Sequence, residues 1–475
     1  MSRLRAGVAA LLFLLAAHAQ ADDKAVAALR KQQDAAEAKC AAELVKCAKS
    51  LAGLKAFDEA RDELRVAMLI APGDANCRKE YAKLLASKGD TPEAVVAKLN
   101  DVRNPARERC VAALVPVLQA WDKADRPEEF AHLATATVGC FGQPPGVKEL
   151  ELAWFEPYMA WARKKDAERW EKGDEFVDGA WLDAEKVKAL DAQHANWNTP
   201  WTVGDGIHEV RTSMSLRDAR RVLEYVRSYR RFVADYFAGE WEWKQPKSPL
   251  PIYLTATQAD YQARLGAYDP NAVRSKASAI YVQKTGGICP VFVTFEPKDA
   301  GGSKIDWPAL LRDVRHETAH QILYESAMAQ GAGVGGNIDW VSEGIANFLA
   351  CHEPRNGVWR LTRHEQEPYA NGFEPGAFAW VRGNFDKVPT VSKYFTEFRP
   401  NLDSVEEYFV ATTMTYFLLM GSQGRWRAPM VKLITEVHMA KGGPKSFADC
   451  FGKPDLAKMQ EEWKAFVDDI SIEKK

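Results

Sequence analysis

His316-Glu317-Thr318-Ala319-His320 constrains this chain more than any other stretch. Side chains four residues apart on a helix lie on one face, about 6 Å from each other. Two imidazoles spaced this way can close on one ion, and zinc accepts that pair. The intervening Glu317 sits beside such an ion without being spent as a ligand, placed to take a proton from water. Thr318, Ala319 and Gln321 are uncharged and Ile322 is apolar, as a buried metal helix requires. Leu310, Leu311, Val314 and Leu323 add an apolar stripe at helical spacing. A helix carrying two ordinary surface or core histidines would show the same five letters, so the surroundings must separate the two readings.

Downstream lies Asp339-Trp340-Val341-Ser342-Glu343-Gly344-Ile345-Ala346-Asn347-Phe348. With HETAH before it, this WVSEGIAN stretch resembles the gluzincin branch of zinc metallopeptidases. There a Glu on a second helix, often opening W-x-x-E-G-x-A, is the third zinc ligand. The nearest likeness is to secreted peptidase MA-like proteins of unknown function, which carry HExxHQ and then W-L-x-E-G-x-A. The likeness spans about residues 206–440 by order of elements, and the two motifs are its specific part. It implies Glu343 as third ligand and Asn347, one turn later, as the group that orients His316 or His320. Taken alone, Glu343 would also suit a helix N-terminus on dipole grounds.

The chain has 475 residues, enough for two or three domains, and its 47% hydrophobic and 27% charged residues are ordinary for a globular protein. Arg3 and Arg5, the apolar run Val8 to Ala17 and Ala19-Gln20-Ala21 read as a signal peptide over residues 1–21, cleaved before Asp22. The expected destination is secreted or periplasmic. No Cys stands at the cleavage point, which argues against a lipid anchor, and no other apolar run reaches spanning length. Without Arg3 and Arg5, the 63 basic residues become 61 against 65 acidic ones. A charge near −4 gives no reason to expect nucleic acid or anionic lipid as partner.

Residues 22–165 are rich in Ala, Leu, Lys and Glu and read as helical. Ala60, Leu64, Ala67 and Pro72 match the second half of a tetratricopeptide repeat, and Leu44, Cys47, Ala48 and Leu51 fall on its first helix. The pattern then decays. We expect an all-α, tetratricopeptide-like domain over 22–165, able to take a protein partner in a groove, with an irregular bundle as the other reading. Residues 166–205, with Trp181, Trp197 and Trp201, read as a connector that packs down. Eight Cys (Cys40, Cys47, Cys77, Cys110, Cys140, Cys289, Cys351, Cys450) make disulfides an expectation for an exported chain. Buried reduced thiols are the alternative.

From 206 to 475 the order of elements predicts a zincin-like metallopeptidase domain of the α+β class. Strands are expected at Ile207–Ser213, Pro251–Thr255, Ala279–Gln283 and Val291–Phe295, with a long helix at 215–238. The metal helix is expected from Trp307 to about Glu325, and lower helices at 405–420, 426–440 and 456–468. The Arg residues of 215–238 read as a solvated face, and Gly331 to Gly336 as a flexible connection. Val291–Phe295 is our candidate for the edge strand that would pair with an extended substrate.

The chemistry follows from the ligand set. One Zn2+ per chain, on His316, His320 and Glu343 with water in the fourth position, carries net +1 and suits carbonyl polarisation. Glu317 would be the general base and pass its proton to the leaving amine. The resemblance to gluzincins implies an oxyanion donor, a Tyr or His of the lower helical half, and Tyr408 is the candidate, with Tyr416 and His352 as rivals. His132, His194, His208, His364 and His438 show no partner in the sequence. The expected activity is hydrolysis of peptide or protein substrates, internal bonds rather than termini. Two alternatives remain: a noncatalytic zinc-binding platform that works through its helical repeats, and a zinc hydrolase of non-peptide amides or esters.

Overall fold

The computed structural model describes residues 2–71, 74–85, 87, 91–237, 240–241, 243–244, 246, 248–272, 278–283, 289–294, 306–328, 339–355, 358–361, 376–396, 402, 404–439 and 444–469. Pro72, Phe295, Gly331 to Gly336 and His364 lie outside these. The protein is of the α+β class, with a helical N-terminal region and a mixed sheet. It divides into two compact units, one of residues 1–156 with 160–181, the other of 157–159 with 182–475.

The first unit holds α1 (Ser2–Gly53), α2 (Phe57–Ile70), α3 (Ala75–Leu85), α4 (Glu93–Val96), α5 (Leu99–Lys123) and α6 (Pro127–Phe141). The hairpin β1 (Leu152–Phe155) and β2 (Ala160–Arg163), α7 (Lys164–Lys172) and the pair β3 (Glu175–Val177) and β4 (Ala180–Leu182) follow. Helix α1 packs on both α2 and α5. Its Leu44, Cys47, Ala48 and Leu51 are buried, as are Ala60, Leu64 and Ala67 of α2. The small residues among them let the two backbones approach. Glu63 of α2 is fully buried, and Arg103 and Arg107 of α5 meet its carboxylate at 2.6 and 2.7 Å. Removing one partner from a buried group of this kind costs about 3–5 kcal/mol.

In the second unit come α8 (Ala184–His194), β5 (Trp201–Gly204), β6 (His208–Thr212), α9 (Leu216–Tyr236), β7 (Leu250–Thr255), α10 (Gln258–Tyr268), β8 (Ala279–Tyr281) and β9 (Val291–Thr294). Then follow α11 (Trp307–Met328), α12 (Asp339–Ala350), β10 (His352–Arg355) and β11 (Val358–Leu361). The remaining helices are α13 (Ala377–Gly383), α14 (Val391–Thr396), α15 (Val405–Met420), α16 (Arg427–His438), α17 (Pro444–Phe451) and α18 (Leu456–Asp469). The stretch expected as a connector thus contains β5, which belongs to the main sheet.

That sheet runs β5-β6-β7-β9-β8. Strands β6, β7 and β9 are parallel; β5 and β8 are antiparallel to their neighbours. Val210, Ile252, Leu254, Val291 and Val293 pack on one face against α9 and the first turns of α11. Phe292 turns to the other face, onto Tyr261 and Leu265 of α10. Both faces of β9 are therefore covered, which is what its unbroken apolar run Val-Phe-Val encodes. Here the structure corrects the expected edge strand. Val291–Thr294 is interior, and β8, three residues long, ends the sheet among the described residues. Below the sheet, α12, α13, α15, α16 and α18 surround a second core built on Phe348, Phe417, Met430 and Trp463.

His352 lies at the margin of this core. Phe232 and Phe348 enclose its ring at centroid distances of 4.6 and 5.2 Å, Tyr236 lies at 5.8 Å, and Nδ1 donates to the Phe348 carbonyl at 3.1 Å. Burial holds the imidazole down at about 4, against the pull of the Phe348 and Leu349 carbonyls, and the Arg315 charge adds to the burial. An unfolded His titrates near 6.5. Between about pH 6.5 and 4 the unfolded chain therefore binds a proton that the folded chain refuses, and stability falls as pH drops. The share of His352 is about 3 kcal/mol at most. Denaturation midpoints measured from pH 7 to 4 should fall less steeply in His352→Gln than in the parent. Equal slopes would remove His352 from the acid sensitivity.

Candidate metal centre

The site is assembled from α11 and α12. Four contacts position the two helices. Gln321 of α11 is fully buried, and its Nε2 donates to the Pro251 carbonyl at 3.1 Å and the Cys289 carbonyl at 2.9 Å, tying the helix to the sheet. Arg315, also buried, donates from Nε to the Ala350 carbonyl at the end of α12, 2.8 Å away. A cation there satisfies a carbonyl that the helix itself cannot pair. The same guanidinium bonds the Tyr225 hydroxyl of α9 and lies 3.5 Å from Glu353. Third, Trp340 near the start of α12 is buried against Tyr394 and Phe395. Fourth, α12 sits so close to α15 that a Cβ on Gly344 would come within 2.7 Å of the Ala411 carbonyl and closer still to Thr415 Oγ1. Only the missing side chain permits this approach.

These contacts bring His316, His320 and Glu343 together. One ligand atom of each lies within 4.8 Å of the others. His316 Nε2 is 3.1 Å from Glu343 Oε2, His320 Nε2 is 3.2 Å from His316 Nε2, and His320 Nε2 is 3.5 Å from Glu343 Oε1. Donors held at about 2.0–2.1 Å around a tetrahedral ion stand roughly 3.3 Å apart. The observed separations lie around that value, with the two imidazoles meeting different oxygens of Glu343, so a small turn of that carboxylate would let the cluster hold one metal ion. The side chains retain 12–23% exposure, so the centre is reachable from solvent.

The charges point the same way. Burial pushes Glu343 up, but the His320 charge and the His316 and His320 hydrogen bonds win and hold it well below the usual carboxylate range. Burial pushes His316 down, but the Glu343 hydrogen bond and the Glu317, Glu343 and Asp313 charges lift it to about 9. The centre thus draws positive charge to itself, as a proton or as a metal ion.

Glu317 stands beside the three donors. Its Oε2 accepts the backbone N–H of Tyr281 on β8 at 2.6 Å. Burial raises its carboxyl above the ordinary value, Glu343 adds to this, and the His316 and His320 charges pull it back. The ring of Tyr281 stacks parallel to His320 at 6.3 Å. Ser278 and Val282 bond across to Thr294 and Pro290, so the peptide groups of Ala279 and Tyr281 face away from β9. The outer edge of β8 therefore faces the carboxylate of Glu317.

The amide nitrogen of Asn347 ties α12 to α15. It donates to Thr412 Oγ1 at 2.9 Å, and Thr412 in turn donates to the Tyr408 carbonyl at 2.7 Å. The hydrogen bond found for Asn347 thus runs to α15 and not to a ligand His. Tyr408 lies half-buried in the first turn of α15. Tyr416 is buried against Phe348 and Phe378, and His352 against Phe232, so both rivals belong to the lower core. His438, for which the sequence offered no partner, ends α16 close enough to feel the His320 charge. Its Nδ1 donates to the Ile434 carbonyl at 2.8 Å, and burial lowers it to about 4. No motif spacing could have paired it with HETAH.

Residues 311–435 match the model of a family described as a protein of unknown function, DUF1570. The matched stretch holds His316, Glu317, His320, Glu343, Asn347 and Tyr408 and stops short of His438. Among curated proteins none matches the chain.

Elemental analysis of the purified chain should find one divalent metal ion. His316→Ala, His320→Ala and Glu343→Ala should each fall well below that. Gly344→Ala keeps every ligand, yet overpacking of this kind costs about 1–3 kcal/mol and should displace Glu343, so its occupancy should fall too. Parent-like metal content in Glu343→Ala would mean that the third donor lies elsewhere.

Proposed function

We propose that this chain is an exported zinc-dependent peptidase of gluzincin type, cleaving internal bonds of peptide or protein substrates. The observation that carries the reading is the bond from the Tyr281 amide to Glu317. It sets a half-buried carboxylate of raised pKa between a three-donor cluster and the outer edge of β8, the last strand of the sheet among the described residues. An extended peptide can pair with such an edge, and that pairing favours a peptide over a small amide or ester. The paired HETAH and WVSEG motifs support the same branch. So does the arrangement of a mixed sheet above α11 and a helical half below it, which is the zincin-like plan. Export rests on the composition of residues 1–21. None of the described helices is long and apolar enough to cross a membrane.

Zinc on His316, His320 and Glu343 would act as a Lewis acid, polarising a carbonyl and making water a better nucleophile at neutral pH. The chain's own groups do the rest. Glu317, aimed by the Tyr281 amide, takes a proton from water and gives it to the leaving nitrogen. The outward peptide groups of Ala279 and the outward carbonyl of Tyr281 align the substrate backbone, the Tyr281 N–H being held by Glu317. Tyr408 donates to the developing oxyanion, with Asn347 and Thr412 fixing its turn of α15. His438 suits that task less well: its Nδ1 hydrogen is engaged by the Ile434 carbonyl, which leaves Nε2 as an acceptor in the neutral ring.

Glu317→Gln keeps the shape and removes the base. The variant should fold, hold zinc like the parent and lose about 10²–10⁴-fold in the rate of peptide cleavage, measured on a broad peptide library. If the parent hydrolyses only small amides or esters, and Glu317→Gln abolishes that, the metal chemistry survives and the substrate class does not. A parent inert on every substrate, whose helical unit binds a protein equally well in both forms, would mark a noncatalytic platform.

A further inference from the structure

The first unit holds five of the eight cysteines, all of them thiols in the structure. Two stand out by position. Cys40 of α1 and Cys110 of α5 are both fully buried where these helices pack. Cys110 Sγ lies 3.5 Å from the carbonyl oxygen of Cys40. Their helix neighbours Ala41, Leu44, Ala106 and Leu114 are buried and apolar. Other cysteines are differently placed. Cys47 donates to the Val102 carbonyl at 3.6 Å, and in the second unit Cys351 donates to Asn347.

We propose that Cys40 and Cys110 are a disulfide-forming pair that staples α1 to α5. The Cys110 sulfur touches the backbone of Cys40 across the α1–α5 interface, which puts the two residues within the short range that a disulfide demands of its partners. The residues are 70 apart in sequence, so the bond closes a long loop in the unfolded chain, where such a link constrains most. The oxidant is a disulfide, supplied by a small molecule or by an oxidoreductase. One cysteine thiolate attacks a donor sulfur, forming a mixed disulfide and expelling one donor thiolate. The second cysteine thiolate attacks the protein-side sulfur and expels the other. The two cysteines lose two electrons and two protons; the donor gains the electrons, and its two thiolates take up the protons. Because both sulfurs are buried in the folded unit, the exchange belongs to folding and not to the finished protein.

The pairing is tested on the full chain, refolded from denaturant in a buffer of reduced and oxidised glutathione. Remaining thiols are alkylated and the digest mapped by mass spectrometry without reduction. The expected product links the Cys40 and Cys110 peptides, two hydrogen masses lighter than their sum, with Cys47 alkylated. Dithiothreitol should then lower the melting temperature of the linked protein by about 5–15 °C, and should leave Cys110→Ala unaffected. Alkylated Cys40 and Cys110 after refolding would overturn the proposal, and so would linkage of Cys40 to Cys77 or Cys140, two other thiols of the same unit. If Cys110→Ala does not fold, the map of the parent decides alone. The pairing makes no use of the metal centre, so zinc content and peptide cleavage neither support nor weaken it.

Discussion

Arg315 and Gly344 decide where α12 lies, and everything at the metal centre depends on that. Arg315 reaches from α11 to the last carbonyl of α12 and is itself gripped by Tyr225 and Glu353. Gly344 lets the other side of α12 rest on the backbone of α15. Between them the helix has little freedom to slide or roll, and Glu343 is delivered to within 3.5 Å of both imidazoles. One residue next to a ligand His and one next to the ligand Glu thus do the positioning, while the ligands carry the charge. The arrangement costs a buried guanidinium, and such a group is tolerated only because its hydrogen-bonding needs are met.

Much of this was legible in the sequence because it is local. The i, i+4 pair of His316 and His320 needs only a helix to place both on one face, and α11 supplies it. The W-x-x-E-G run likewise opens α12. The helices of the lower half could be read from apolar spacing alone. What could not be read is set by tertiary order. Sheet order departs from chain order, so β9, the last strand before the metal helix, lies inside the sheet and β8 at its edge. Val291, Phe292 and Val293 signalled a strand covered on both faces, and that signal argues against an edge. That the Asn347 amide nitrogen meets Thr412 follows from the packing of α12 on α15, which no local pattern announces. His438 stands far from HETAH along the chain, and only α16 brings it near His320.

In the first unit, the small residues that suggested repeat-like helix packing do lie in the interface of α1 and α2. The charge network around Glu63 had no sequence signature, since Arg103 and Arg107 stand about forty residues from it along the chain. Cysteine behaves in the same way: a count establishes that pairs are conceivable, and only the packing of helices selects which sulfurs meet.

The bond between Glu317 and the Tyr281 amide has one more consequence. It fastens the carboxylate proposed as the base to the same three-residue strand whose outer edge would receive an extended chain. Any residue laid along β8 is then measured from Glu317 by the fixed repeat of a strand, about 3.3 Å per residue, independently of the loops around it. The strand becomes a ruler with the carboxylate as its zero mark. Shifting a bound chain by one residue along β8 would not only move the bond under attack; it would also turn every side chain to the opposite face. In a peptidase of the kind proposed, selection of a cleavage point would be tied to which side chains tolerate the sheet side and which the helix side, a choice made by backbone register before any pocket is consulted.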